Sequence, residues 1–439
     1  MGLRALASTL FERYQFARQH GITFGTKRDL YEALGYQRDL NTKDYRARYE
    51  RGGIAARIVE ALPKATWRGS GELVEDEDPD NVTEFEQAWF VLANKLKVWS
   101  VFQRADILAG LGQYSVILIG APGEISTPLR KGRPGGLLYL TPFAEDDALI
   151  QSYILSPEDA RFGLPEAYQL TRANKPQVAA NFGRPAHWTR VLHLADNVLD
   201  DDAFGQPRLQ RVWNDFDNLE KVAGGGAEAF WLRAHQGYQF NLDKDTILEP
   251  GSAEATDLRD QVEEFANGIR RFVRTRGMQL NTLGSDVANF SNPVDAILTL
   301  IAGATGIPKR ILTGSEMGQL ASSQDRSNWR DRVQDRRDGW AAPQVVRPFV
   351  DRMIEYGYLP EPKEYTVRWP TIQFLDETER ADVAMKWADI NSKYNGEVVI
   401  TPNEIRDRLL DLEPLEVREE ALVRPAPIAP GFKKAEPKP

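Results

Sequence analysis

The chain has 439 residues, a 42% apolar fraction and no cysteine, with 64 acidic against 55 basic side chains and a net charge of −9. That length and apolar fraction suit a globular chain of two or three substructures, and the missing cysteines exclude disulfides, thiolate metal sites and a cysteine nucleophile. The acidic balance argues against a general nucleic-acid coat, which needs a basic surface to neutralise phosphates, but is compatible with a protein that DNA must pass without sticking.

No apolar run reaches the roughly eighteen residues of a membrane span, the most apolar stretches being "YSVILIGA" and "AILTLIAGA". The N-terminal "MGLRALASTLFERYQFARQHG" carries charges throughout and has no apolar signal-peptide core, so synthesis in the cytosol is expected. The first fifty residues read as one or two helices around a polar linker. "KDYRARYERGGIAARIVEALPKATWRG" then gives a helix, a Gly-Gly break and a second helix, ended by Pro63 and the strand-like "ATWRGSGELVED". In "DNVTEFEQAWFVLANKLKVWSVFQRADILAGLG", Phe85, Trp89, Leu92 and Leu96 recur at helical spacing behind an Asp or Asn suited to capping, which predicts two consecutive helices.

From Tyr114 to Asp196 short β-branched or aromatic runs ("YSVILIG", "GLLYLTPF", "ALIQSYIL", "AYQLT", "HWTRVLHLA") predict a mixed or antiparallel sheet. Helices are predicted at "RLQRVWNDFDNLEKVAGGGAEAFWLRAHQG" and "SAEATDLRDQVEEFANGIRRFVRTRG", then a strand "MQLNTLG" and a small-residue helix over 293–305. A long helix from about 322 to 356 carries Trp329, Val333 and Trp340 on one side, with Pro343 and Pro348 expected to bend or divide it. A strand "YTVRW", a helix "DETERADVAMKWADINSKY" and a shorter helix started by Thr401, Pro402 and Glu404 complete the pattern. The tail "PAPIAPGFKKAEPKP" is proline-rich and polar, and is expected to be disordered.

Catalytic motifs are mostly missing. The sequence has no G-x-x-x-x-G-K-[ST], no G-x-S-x-G and no H-E-x-x-H, so no cofactor, metal or catalytic residue is assigned. "GGGAEAF" (224–230) has no lysine and lies inside a helical pattern, which favours a close helix contact over phosphate binding. His187 and His193, six apart, would face one side of a single strand, and His187-Trp-Thr189 superficially matches one half of a two-histidine phosphoesterase whose second motif is absent. "EDEDPD" (75–80) reads as a solvated acidic turn rather than a calcium loop. Arg270, Arg271, Arg274 and Arg276 suit either the negative end of a helix dipole or an acidic partner. In "RSNWRDRVQDRRDGW", Asp331 and Asp335 against Arg330, Arg332 and Arg336 form either a solvated face or ion pairs between identical neighbours in a ring.

"YERGGIAARIVEALPKATWRG", "RADILAGLGQYSVILIG", "HWTRVLHL" and above all "IAGATGIPKRILTGSEMGQLASSQDRSNWRDRVQDRR" give the chain a resemblance to the portal proteins of tailed bacteriophages. The resemblance covers roughly residues 40 to 360. The last motif is the most specific, with a helix ending in Gly-Ile-Pro, a Gly/Ser-rich loop and a charged helix. It implies an α+β architecture of wing, stem, clip and small crown, in a ring of twelve subunits, with no enzymatic activity. Carried onto this chain, 1–205 would be the arm and wing, 206–236 a stem helix and 237–290 the clip. The second stem helix would be 291–307, the tunnel loop 308–324, and the long helix and wing return 325–370. A crown-like part would occupy 371–418, and the tail 419–439.

The implied partners are other copies of the chain, duplex DNA passing without sequence specificity, the terminase motor, the major capsid protein and a tail adaptor, with no membrane. Expected at the DNA are Lys309, Arg310, Thr313, Ser315, Gln319, Ser322, Ser323 and Gln324, polar residues suited to a loop that touches DNA loosely. Arg270, Arg271, Arg274 and Arg276 are expected at the tail adaptor, and Ala302, Gly303, Arg330, Asp331, Asp335 and Arg336 between subunits. Ala296, Ala302, Gly303 and Ala304 allow close helix packing, and Ile307 is expected to be buried where the chain turns. Two alternatives stand beside this reading: another virion structural protein such as a head-tail adaptor or scaffold, and a DNA-processing enzyme.

Overall fold

The computed structural model describes residues 15–16, 29–76, 81–171, 185–234, 237–242, 251–266, 278–283, 291–314, 323–370, 377–393 and 400–406. They fall into two units, Met1–Arg368 and Trp369–Pro439. The Asp29 carboxylate accepts the N–H groups of Tyr31 and Glu32 to start α1 (Leu30–Leu34). Asn41 and Asp44 cap α2 (Thr42–Arg51) reciprocally. The predicted Gly-Gly break separates α2 from α3 (Gly53–Thr66), which buries Ala55, Ile58, Val59 and Pro63 before β1 (Glu72–Val74).

The two consecutive helices are α4 (Glu84–Leu96) and α5 (Val98–Leu111). The cap of α4 is Thr83 rather than the expected Asp or Asn, because Thr83 and Glu86 stand at capping-box spacing and exchange bonds with each other's backbone N–H. Trp67, Trp89, Trp99 and Phe102 meet around these helices with ring centroids 5.5–6.1 Å apart.

The sheet region is wholly antiparallel among the described strands. β2 (Ser115–Gly120) lies between β3 (Tyr139–Ala144) and β7 (Val191–Leu194), while β4 (Ala148–Tyr153), β5 (Pro165–Leu170) and β6 (Ala186–His187) form a second three-stranded sheet. Every residue of β2 is buried, which accounts for its unbroken apolar run. The Ser115 hydroxyl donates to the Ala105 carbonyl, so the odd positions of β2 face α5. Val116 and Leu118 pack instead with Phe143, Tyr168 and Leu170 between the sheets. A 3-10 turn over Trp188–Arg190 splits the expected 187–195 strand, so His187 and His193 belong to different sheets and share no face.

A 3-10 turn at Gln210–Val212 leads into α6 (Trp213–Ala234), whose start is fixed by Arg48. Its guanidinium donates to the Trp213 carbonyl (3.1 Å) and to Asp217 (2.7 Å), and lies 4.0 Å from the Trp213 ring. β8 (Gly237–Leu242) and β9 (Met278–Leu283) pair across α7 (Ala253–Ala266), followed by α8 (Ser291–Thr305), which packs on α6, and α9 (Lys309–Thr313). α10 (Ser323–Arg336) runs into a π-helix over Arg337–Val346 and then α11 (Arg347–Glu355). Pro343 therefore divides the predicted long helix by widening its winding, because proline removes an N–H and clashes with the carbonyl four residues back. Pro348 sits in the first turn of α11, where no N–H is needed. β10 (Thr366–Arg368) closes the unit by pairing with β1. The second unit contains α12 (Glu377–Lys393) and α13 (Pro402–Ile405). The proline-rich tail, residues 77–80 of the acidic turn and most of the first twenty-eight residues lie outside the described residues.

Candidate functional site

The Gly-Ile-Pro passage turns the chain at the end of α8. Gly306 takes φ +64°, Ile307 is buried as expected, and Pro308 precedes α9, whose Leu312 is also buried. Arg57 of α3 donates to the Ile311 carbonyl at 2.8 Å, so the turn is fastened to the body. Gly314, φ +77°, ends α9.

Of the residues expected at DNA, Lys309 reaches back to α8, pairing with the Asp295 carboxylate and lying 3.3 Å from the Thr299 hydroxyl. Arg310 is half-buried, and the exposed Thr313 bonds its hydroxyl to the Lys309 carbonyl at 3.1 Å. Ser315, Gln319 and Ser322 lie outside the described residues, whereas Lys309–Thr313 form α9 and Ser323 and Gln324 belong to α10. Arg270, Arg271, Arg274 and Arg276 also lie outside the described residues.

The expected subunit contacts divide. Gly303 is exposed, and a Cβ added to it would touch nothing within 4 Å; the same is true of Gly224 and Gly225 in α6, whereas Gly226 of the same run is buried. Asp335 is exposed, and Arg330 and Asp331 pair on the surface at 3.3 Å. Arg336 departs from expectation. Its guanidinium is buried within its own chain, 2.8 Å from Asp106 and 3.0 Å from Asp196.

Those contacts belong to a hub where α5, β7, the approach to α6 and α10 converge. Arg208 bridges the same two carboxylates at 2.6 Å each, and the Trp67 indole donates to Asp106 at 2.7 Å. Burial alone would raise the Asp196 carboxyl, but the guanidiniums of Arg336 and Arg208 overcome it and hold the group well below the ordinary carboxylate range. Gly205 permits the close approach, since a Cβ there would lie 1.9 Å from the Asp196 carbonyl oxygen. Sequence reasoning missed this hub. Its one signal was Asp106, a lone acid on the buried face of α5.

Other arginines, buried or half-buried, serve as clamps on carbonyls. Arg337 caps the end of α3 through Thr66 and Arg68, Arg352 reaches Val191, and Arg190 gathers the carbonyls of Ala121, Pro122 and Thr127. Burial lowers both Arg337 and Arg352 to about 10. His193 bonds Tyr168 and the Ala203 carbonyl, and burial lowers it to about 4. His187 and Thr189 bond each other at 2.9 Å, so both histidines serve local structure. Beside the hub lies a cleft of about 90 Å³ lined in part by Arg208, Arg211, Ile307 and Arg332.

The family model for phage portal proteins matches residues 43–393, spanning this hub, the paired helices and the turn. The chain belongs to the phage portal protein family. A curated relative of this portal-family chain, the anti-CBASS protein Acb1 of Sphingomonas paeninsulae, is 23% identical over 344 residues, covering 74% of this chain and 53% of the relative. The chain thus spans about half the length of that relative. In fold it is similar to a chain in the virion of a native gene transfer agent particle, with TM-score 0.50 and 15% identity over 86% of this chain and 95% of the other. A chain in the neck of an empty gene transfer agent particle, computed with C6 symmetry, matches with the same scores and coverage.

Proposed function

We propose that this chain is the structural subunit of a portal ring at one capsid vertex of the virion, enclosing the channel through which DNA is packaged and ejected and to which the tail attaches. Membership of the portal family over residues 43–393 carries the reading. The exposed faces of α6 and α8 support it, since a ring would cover with neighbours what one chain leaves bare. In this role the pair α6 and α8 is the stem, β8, α7 and β9 belong to the clip, and the passage after Gly314 faces DNA. Arg270, Arg271, Arg274 and Arg276 meet the tail adaptor, and the remaining partners are the terminase motor and the major capsid protein. The role is structural, with no enzymatic step and no cofactor, and no helix among the described residues is long and apolar enough to cross a membrane.

Negative-stain images of the purified chain test the proposal. Closed rings with an axial hole are expected. Monomers and dimers only, at high protein concentration and across salt conditions, would overturn it.

A further inference from the structure

Arg332 and Asp335 are both exposed on α10, and neither makes a hydrogen bond or ion pair with another described residue. The charges around them are engaged. Asp331 pairs with Arg330, Gln334 donates to both Asp338 oxygens at 3.1 and 3.0 Å, and Arg336 is buried in the hub. Three positions apart on a helix, Arg332 and Asp335 are spaced to pair with each other. The Arg332 guanidinium instead turns onto Gly306, so closely that a Cβ there would lie 1.4 Å from Nη1.

Arg332 thereby lines the cleft of about 90 Å³ together with Arg208, Arg211 and the polar side chains of Asn197, Gln206 and Thr305. Behind it the carboxylates of Asp106 and Asp196 are each shared by Arg208 and Arg336. Arg211 bonds only the neutral Gln206, at 2.9 Å, among the described residues. Four arginines against two carboxylates leave the site with excess positive charge, and the cleft has room for one small anionic group.

We propose that this cleft is a carboxylate site filled in trans, with Asp335 of a second copy of the chain seated against Arg332. The inference rests on the ring reading and deepens it. In a cyclic ring each subunit meets a neighbour on either side, so two charges that make no ion pair within a chain become partners between chains. Duplex DNA is the other available polyanion, but it offers closely spaced phosphates along a broad rod, and a cleft of this size suits a single side chain.

The test uses the full chain with Arg332→Glu and Asp335→Arg made separately. Each variant alone is expected to need about tenfold more protein for half-assembly, read by mass photometry, because each places like charges together. Mixed one to one, the two variants should assemble like the unaltered chain in alternating rings, since every junction is then again opposite in sign. Melting curves separate assembly from folding. If a reversal unfolds the chain, Arg332→Gln, Asp335→Asn and their double replace it, and all three should weaken assembly equally. Unaltered assembly by both single variants, or no rescue on mixing, overturns this site and leaves the ring reading standing. An unaltered chain that forms no rings removes both. Normal rings of Arg332→Glu that fail to retain DNA would make the cleft a phosphate site and end the proposal.

Discussion

The sheet-and-helix body and the paired helices α6 and α8 differ in how much apolar surface a single chain covers. In the body, Val116, Ile117, Leu118 and Ile119 are at most 1% exposed, and even the ion pairs of the hub are sealed. Along α8 only Ile301 is buried, while Leu300 is 62% exposed, and near the end of α6 Phe230 and Trp231 are 55% and 60% exposed. The body is finished by its own chain. The paired helices carry apolar side chains that one chain does not cover, as expected of elements completed by assembly.

The strongest way to break that contrast is to remove an acid from the hub. Asp106→Ala leaves Arg208 and Arg336 buried with half their counter-charge, and should cost about 3–5 kcal/mol in urea unfolding and abolish rings through the fold. Ile307→Asp is expected to cost about 3 kcal/mol or more, because a carboxylate would be buried without a partner where the turn meets the body. Gly205→Ala should cost about 1–3 kcal/mol through its collision with the Asp196 backbone, read from the same unfolding curves. A milder probe is pH. His193 is neutral in the fold, so between its ordinary value near 6.5 and about 4 the unfolded chain takes up a proton that the folded chain refuses. Stability should therefore fall as pH drops through that window, and His193→Gln should flatten the fall. Asp196 works at a lower range. Its depressed carboxyl gives stability above the ordinary carboxylate value, lost only as pH falls through its folded one. The smallest effect belongs to the other region. Leu300→Lys should change unfolding of the single chain by no more than about 0.5 kcal/mol yet reduce ring yield, and equal losses in both readouts would erase the distinction.

How much of this was legible depends on whether a local pattern decided it. The segment 114–120 was readable as a buried strand because both of its faces are covered, and the 3.6-residue spacing of Phe85, Trp89 and Leu92 marked α4 directly. The Gly-Ile-Pro turn was also readable, since Ile307 is the apolar residue that such a corner must bury. The hub was not. Asp106 lies 102 residues from Arg208 and 230 from Arg336 in sequence, and no local signal encodes such a partnership. Arg336 misled for the same reason, as one of several arginines in a charged run whose different fates are set by the rotation of α10 against the body. The histidines were misplaced because a three-residue 3-10 turn interrupts an otherwise strand-like run.

The π-helix between α10 and α11 gives the chain a tolerance to length. An added residue in an α-helix swings everything after it by about 100°, which would carry Phe349, Val350 and Met353 out of the core. In the wider winding, where Arg347 donates to the carbonyl of Ala342, a residue can be lost by tightening back toward the α form, with the turn absorbed locally. Deletions that would ruin either flanking helix thus have one place to be forgiven. The stretch 337–346 is where related chains could differ in residue count while keeping both ends of the rod in phase.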